Sequence, residues 1–326
     1  RSVQRARSSG VISQLKRLAR SMALLGTGGS SKFNREQWRT ELGPVIELWD
    51  RLTKSSRDVL SRPARAKEGD GKNSLLPLPQ FVDMESKFAY DIVNVVDNNM
   101  KALKRVVFGS GLLTPQIQAN AAALLANTVP IKWEKKWEGP EIPQVWLKAV
   151  VQKKIALSQW SNKMTSLSSA GGAAVPLNLS ELFNPGTFLM ALRQQTARVA
   201  RLPMDSLVLS SSFGDELAGA PLPIKITGLL MQGATYEDGR IELSGAGASE
   251  LCTMTGCTLA FTQDTSSDHG KSAAEGGRGG GRDSKLDVPL YFSPTREKLL
   301  TAIAVDTKGQ SDDWVIAGVA LFLDSE

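Results

Sequence analysis

Apolar residues recur every three or four positions through about the first 200 residues, which is the spacing of one face of an α-helix. Asn34 and Thr114 are capping residues at the start of two of these patterns. Gly43-Pro44 interrupts the first of the two, and we expect a kink or a split there. Residues 61–79, rich in Pro, Gly and charge, are predicted to form a surface loop. Helices are predicted near residues 11–25, 34–59, 80–108, 115–127 and 143–167.

One more helix is predicted from Asn184 to Arg201, after a linker at residues 166–176 that is rich in Ser, Ala and Gly. Arg193, Gln194 and Arg198 fall on one side of this helix and make a polar face. The opposite, inward face is predicted to contain Phe188, Leu189, Leu192, Thr196 and Val199.

Large aromatic side chains are the best candidates for core anchors, because they bury the most apolar area. Six of the seven tryptophans precede residue 161, within the helical part of the chain. Trp314 is placed at the start of a final strand, facing the interior of a sheet. The predicted anchors are Trp38, Trp49, Trp146, Trp160, Phe188 and Trp314.

After Pro203 the pattern changes to short apolar segments separated by turn residues, which is typical of small β-barrels and sandwiches. Asp238-Gly239 is the signal of a tight hairpin. Residues 264–286 hold many glycines and few apolar side chains, and they are predicted to be a disordered loop. The hairpin is placed at residues 236–241, and strands are predicted near residues 207–209, 224–228, 250–262, 287–292, 299–306 and 314–323.

The fold class indicated is α+β, with a helical module followed by a small antiparallel β-barrel or sandwich and a connecting helix. Residues 1–33 are predicted to form a basic amphipathic helix and a hinge. Residues 34–175 form the helical module, and residues 176–326 form the connecting helix and the β-barrel module.

Net charge is +6 and is concentrated near the N-terminus, where residues 1–72 hold sixteen basic and seven acidic side chains. This segment could form an independent basic module that binds nucleic acid or an acidic membrane surface. The alternative is an amphipathic helix that packs on a neighbouring domain, with no nucleic-acid partner. The longest apolar run, residues 315–323, is far shorter than the ~20 residues of a spanning helix, so membrane insertion is not expected.

Candidate chemistry is sparse, and no catalytic, cofactor-binding or metal-ligating residue is assigned. Gly270-Lys271-Ser272 is the tail of a phosphate-binding loop, but Thr265 stands where that motif needs glycine. His269 is the only histidine and lies in the glycine-rich segment, where a catalytic base would not be held in place. Cys252 and Cys257 are interpreted as core or edge thiols, because a zinc site needs more ligands. A third hypothesis, a β-barrel enzyme that binds a sugar or a lipid, is not favoured, because the sequence shows no set of catalytic residues for it.

Four sequence blocks resemble the C-terminal regions of dynein heavy chains and occur in the order expected for that family. Lys136-Trp137-Glu138-Gly139-Pro140 and the N-terminal portion are most similar to the cytoplasmic dynein of intraflagellar transport. The blocks are Phe183–Leu189 with Gln194 and Arg198, Gly228–Ala234, Val288–Tyr291 and Trp314–Leu321.

The resemblance implies a non-catalytic region that lies on one face of the motor's AAA+ ring and tunes ATP-driven, minus-end-directed movement. ATP and Mg would then bind upstream of Arg1, and this fragment would have no cofactor of its own. Implied partners are the ring of the same polypeptide, a heavy-chain homodimer with intermediate, light-intermediate and light chains, microtubules and intraflagellar-transport trains. The implied location is the cytoplasm and the cilium or flagellum. Arg193, Gln194 and Arg198 become the candidate ring-contact face.

The isolated protein is expected to bind no nucleotide tightly and to hydrolyse no ATP, because it lacks a complete phosphate-binding loop. Isothermal calorimetry with ATP and Mg measures this directly. Micromolar binding that Lys271→Ala abolishes would contradict the prediction.

Overall fold

A computed structural model of the 326-residue protein describes its structure over most of its length. The predicted helix at residues 11–25 lies outside the described residues apart from Leu15. His269 and Gly270-Lys271-Ser272 lie outside them too. The described residues are 15, 33–56, 58–63, 76–169, 176–214, 216–237, 240–243, 251–263, 284–307, 313–314 and 317–324.

The described helices are α1 (Arg35–Ser55), α2 (Pro77–Val107), α3 (Pro115–Leu125), α4 (Ile131–Glu134), α5 (Pro143–Ser169) and α6 (Pro185–Ala200). Asn34 caps α1 as predicted, since its side chain accepts hydrogen bonds from the amides of Glu36 and Gln37. Thr114 likewise caps α3. The split expected at Gly43-Pro44 is wrong, because α1 continues through Pro44. Its buried face evidently outweighs the one hydrogen bond that proline removes.

The long helix α2 begins three residues before its predicted start, inside the stretch expected to be a loop. Pro77 occupies the first turn, where its missing N–H costs nothing, and Leu78 is buried. Met84 on this helix is 50% exposed although it is apolar, and the neighbouring Glu85 is fully buried although it is charged. The inward face of α2 therefore includes one charged residue among its apolar ones.

The strands are β1 (Pro176–Asn178), β2 (Leu207–Ser212), β3 (Ile224–Thr227), β4 (Leu229–Gln232), β5 (Ala234–Glu237), β6 (Arg240–Leu243), β7 (Leu251–Met254), β8 (Cys257–Gln263), β9 (Ser284–Tyr291), β10 (Leu299–Thr307) and β11 (Ala320–Leu323). They form a four-stranded sheet, in the order β1-β3-β8-β2, and a seven-stranded sheet, in the order β5-β6-β10-β9-β11-β4-β7. β5 and β6 pair antiparallel, with Glu237 opposite Arg240, as the predicted hairpin requires, and the turn residues Asp238-Gly239 lie outside the described residues.

The α+β class is confirmed, but the expectation of purely antiparallel strands is wrong. The pairs β1–β3, β6–β10 and β9–β11 are parallel. Each joins strands that are distant in sequence, with other elements between them, and such crossovers permit parallel pairing. The seven-stranded sheet nearly closes, since the Cys252 thiol on β7 donates to the Ala234 carbonyl on β5 at 3.1 Å. The resulting shape is barrel-like.

The strand predicted at residues 250–262 is interrupted and forms β7 and β8. Three other predicted strand boundaries are wrong for identifiable reasons. The strand expected at 224–228 ends at Gly228, which has a φ of +69° and turns the backbone into β4. Residues 284–286 belong to β9 rather than to a disordered loop. The final strand begins only at Ala320, because Trp314 and Ala317 have helical backbone and Gly318 has a φ of +69°.

All six predicted aromatic anchors are buried, at 8% exposure or less. They belong to one apolar core that runs from the helical module into the sheets. Phe188 on α6 lies at its centre, with ring-centroid distances of 5.6 Å to Phe81 on α2 and 5.3 Å to Trp160 on α5. The connecting helix is therefore part of the helical core rather than a free spacer.

Replacing Trp314 with alanine is expected to lower the free energy of unfolding by ~3–5 kcal/mol, since the side chain is buried and the cavity would stay unfilled. Trp314→Phe is the matched control. It keeps most of the packing and removes an indole N–H that finds no hydrogen-bond partner among the described residues. Urea unfolding compares them, and an alanine variant that unfolds like the wild type would show that this side chain does not stabilise the fold.

Candidate functional site

Two helices that are far apart in sequence cap each other. The amide of Leu78, in the first turn of α2, donates to the Gln195 side-chain oxygen on α6 at 3.0 Å. In return, Glu85 Oε1 on α2 accepts from the amides of Phe183 and Asn184, at 2.5 and 2.8 Å, where α6 begins. Glu85 Oε2 also accepts from the Asn184 side chain at 3.0 Å. Free amides at a helix start need acceptors, so α2 depends on Gln195 in its first turn, and the segment that enters α6 depends on Glu85.

The segment that connects the modules, residues 178–184, is held from the other side by α5. Lys153 Nζ donates to the Ser180 carbonyl and, at 3.0 Å, to the Leu182 carbonyl. Glu181 accepts from Trp160 Nε1 at 2.7 Å and from Lys163 Nζ at 3.0 Å. We call these side chains of α2 and α5, with residues 178–184, the junction.

The ammonium of Lys153 lies inside the protein and is surrounded by aromatic rings. Its Nζ is 5.4 Å from the ring centroid of Trp137, 5.8 Å from that of Phe183 and 5.7 Å from that of Phe292. Burial lowers the pKa of this lysine to about 8, although the negative charges of Glu85 and Glu181 oppose the shift.

A cavity of about 590 Å³ separates α5 from the loop after β9, and Lys153 lines it. Trp137 forms one wall and Phe292 another. An ion pair of 2.9 Å joins Glu138 of the helical module to Lys298 of the sheet module. Sequence reasoning missed this cavity, because its walls come from positions between 137 and 323 that only the fold brings together.

The predicted polar face of α6 divides in two. Arg193 is half-buried, and its guanidinium donates to the carbonyls of Met204 and Leu207, both at 3.0 Å. Arg201 has a φ of +57°, so the backbone turns back after α6 and brings these carbonyls beside Arg193. The structure thus places Arg193 against its own polypeptide, and its contact with another surface stays a prediction.

Gln194 and Arg198 are exposed, as their predicted position requires. Val199 was predicted to face inward but is 58% exposed, because the helix ends beyond the edge of the core. Met190, one turn earlier than Gln194, is 47% exposed. The outer face of α6 therefore consists of Met190, Gln194, Arg198 and Val199, which combines apolar area with a positive charge.

The interpretation of both cysteines as structural thiols agrees with the structure. Cys257 is fully buried, and burial raises the pKa of its thiol to about 12, far from the range of a reactive thiolate. Cys252 is half-buried against Ala234. Within the described residues, no group of three or more His, Cys, Asp or Glu side chains could hold a metal ion. The described helices include none with the length and apolar character of a membrane span.

Glu85, Lys153 and Gln195 were not identified from the sequence. A signal existed, because each interrupts an apolar helical face at a position that the period assigns to the inside. Polar residues at such positions are buried only when they find partners. Their partners lie as far as 117 residues away in the sequence, so no local pattern could reveal them.

Comparison with known proteins places these features in a family. A family model for the C-terminal domain of the dynein heavy chain matches residues 5–323. "Cytoplasmic dynein 2 heavy chain 1" of Tripneustes gratilla is 35% identical over 327 residues, covering 100% of this protein. The protein of the same name from Chlamydomonas reinhardtii is 35% identical over 337 residues, covering 99% of this protein. The sequence spans 7% of the length of each relative.

Glu85→Ala is expected to lower the free energy of unfolding by about 3–5 kcal/mol, since it leaves buried amides and the Lys153 ammonium without their negative partner. Asp91→Ala, at an exposed carboxylate on the same helix, is expected to change it by no more than ~0.5 kcal/mol. Glu85→Gln keeps an acceptor oxygen and should fall between the two. Calorimetric unfolding ranks the variants, and equal melting of the Glu85 and Asp91 variants would show that the mutual capping contributes little.

Proposed function

The protein belongs to the family of dynein heavy chains, as their C-terminal domain, and from that premise we propose that it packs on the AAA+ ring of an intraflagellar-transport dynein and modulates its movement. The observation that carries the subtype is the 35% identity, over the whole sequence, to proteins named cytoplasmic dynein 2 heavy chain 1. ATP would bind and be hydrolysed in the longer protein, upstream of residue 1. Movement toward microtubule minus ends in cilia or flagella would be the activity of the assembled motor, with its accessory chains and transport trains.

A region that braces a ring must keep its own shape under load, and the junction supports this role. The mutual caps fix α2 relative to α6, and Lys153 and Glu181 attach the connecting segment to α5. A force applied to either module would therefore pass through buried hydrogen bonds rather than through a free linker.

The outer face of α6 is our candidate for the contact with the ring. Met190 and Val199 offer apolar area, and Arg198 offers a planar group that can donate several hydrogen bonds to carboxylates or carbonyls. Aromatic, Met and Arg side chains are the types enriched where proteins meet. Arg193 would contribute indirectly, because it holds the segment that follows the helix.

The family blocks also support a shared architecture around this face. The first block, Phe183–Leu189, begins α6, and the other three overlap β4, β9 and β11. These three strands are neighbours in the seven-stranded sheet. The rival interpretation, a basic module built on residues 1–72, stays a prediction. Within its described part, Trp38, Leu42 and Trp49 are buried in the helical core.

The test is single-molecule motility of the full motor carrying Met190→Asp and Arg198→Glu. Truncating or reversing an interface anchor typically costs ~2 kcal/mol or more of binding, so run length or stall force should change while ATP turnover persists. Arg51→Glu is the matched control, since it reverses an exposed arginine on α1. If both the motility and the melting curve were unchanged, the outer face of α6 would be ordinary solvent-exposed surface, and the proposal would be contradicted.

A further inference from the structure

The ammonium of Lys153 has one bonding position with no oxygen partner among the residues that the structure describes. Two of its hydrogens are directed to the carbonyls of Ser180 and Leu182. The groups that remain around Nζ are the rings of Trp137 and Phe292, together with that of Phe183. A neutral amine has two hydrogens and could make both of these hydrogen bonds, whereas the aromatic rings and the charges of Glu85 and Glu181 favour the ammonium form.

Burial makes the neutral form accessible near physiological pH. With a pKa of about 8, roughly a fifth of Lys153 is uncharged near pH 7.4, against about a thousandth of an ordinary exposed lysine. Desolvation of this kind is one of the ways by which proteins activate a lysine as a nucleophile.

The cavity beside Lys153 offers a small molecule a route toward this side chain. Lys153 itself is 6% exposed, and it lines the 590 Å³ cavity. Ala149 and Ala156, on the same helix, also line it and leave room beside the amine. A volume of this size falls within the range of small-molecule sites.

The charges around the cavity favour an uncharged acyl donor over an anionic one. Carboxylates outnumber ammonium groups, so an anionic acyl phosphate would be repelled, whereas a small uncharged thioester would not. Glu85 and Glu181 face Lys153 from α2 and from the connecting segment. The other charged groups that line the cavity are Glu138, Glu141, Glu297 and Lys298.

We propose that Lys153 is an acylation site, reached through the cavity between the modules, that takes an acyl group from a small thioester. The ammonium first loses a proton to solvent. The amine lone pair then attacks the thioester carbonyl carbon, an N–C bond forms and the C–S bond breaks. The departing thiolate takes the second proton from nitrogen and leaves as a thiol.

Acylation would change the junction, because an amide nitrogen carries one hydrogen where the amine carries two or three. Either the Ser180 or the Leu182 carbonyl would lose its donor, and Glu85 would lose a nearby positive charge. The modification would therefore loosen the connecting segment and couple local acyl chemistry to the mechanics of the two modules.

The experiment exposes the full 326-residue protein to the acetyl thioester of N-acetylcysteamine and follows the acetylation rate of each lysine by peptide mass spectrometry. Near neutral pH, Lys153 should react roughly tenfold or more faster than Lys148, an exposed lysine on the same helix. The Lys153 rate should level off above about pH 8, where most of the amine is already neutral.

Lys154 serves as the control that distinguishes the effect of access through the cavity from the effect of a lowered pKa. Burial lowers its pKa as well, but it is not among the residues that line the cavity. It should therefore react more slowly than Lys153. Ala149→Trp, which fills the cavity, should slow Lys153 and leave Lys148 unchanged. If that variant melts early, Ala156→Leu replaces it.

Two results would overturn the proposal. One is a Lys153 rate at or below that of Lys148 across the pH series. The other is equal reaction of Lys153 and Lys154, which would show that the cavity gives no access. Neither result bears on how the outer face of α6 contacts the ring.

Discussion

The mutual capping of α2 and α6 is the constraint on which the arrangement of the two modules depends. A helix that starts inside a protein must find acceptors for its first amides, and neither helix has them nearby in its own sequence. Gln195 supplies one for α2, and Glu85 supplies two for the start of α6. Those bonds hold the start of α2 against α6 and the entry to α6 against α2.

The buried negative charge of Glu85 is partly compensated by the positive charge of Lys153. An isolated carboxylate in an apolar interior is costly, and a second buried charge of opposite sign offsets part of that cost. Lys153 reaches the same region from α5 and donates its hydrogens to carbonyls of the connecting segment. The junction thus rests on a few buried polar groups, and the apolar core around Phe188 excludes water from them.

Most helices could be predicted from the sequence, because helical period and caps such as Asn34 and Thr114 are local signals. Which strands would pair could not, since β9 lies between β10 and β11 in the sheet and no local pattern indicates a parallel partner. Trp314 was correctly predicted to be buried but was placed in a strand, because an aromatic beside small apolar residues looks the same in either structure. The polar face of α6 was predicted correctly for Gln194 and Arg198, which are exposed. Arg193 instead donates to carbonyls in the segment that follows the helix.

The ion pair between Glu138 and Lys298 has a different character from the junction beneath it. Lys298 is 61% exposed and Glu138 is 32% exposed, so dissolved salt screens their attraction, whereas the contacts of Lys153 are shielded from it. The two modules are therefore fastened firmly at the floor of the cavity and loosely at its rim. Added salt would therefore weaken the contact at the rim of the cavity while leaving the buried hydrogen bonds of Lys153 in place.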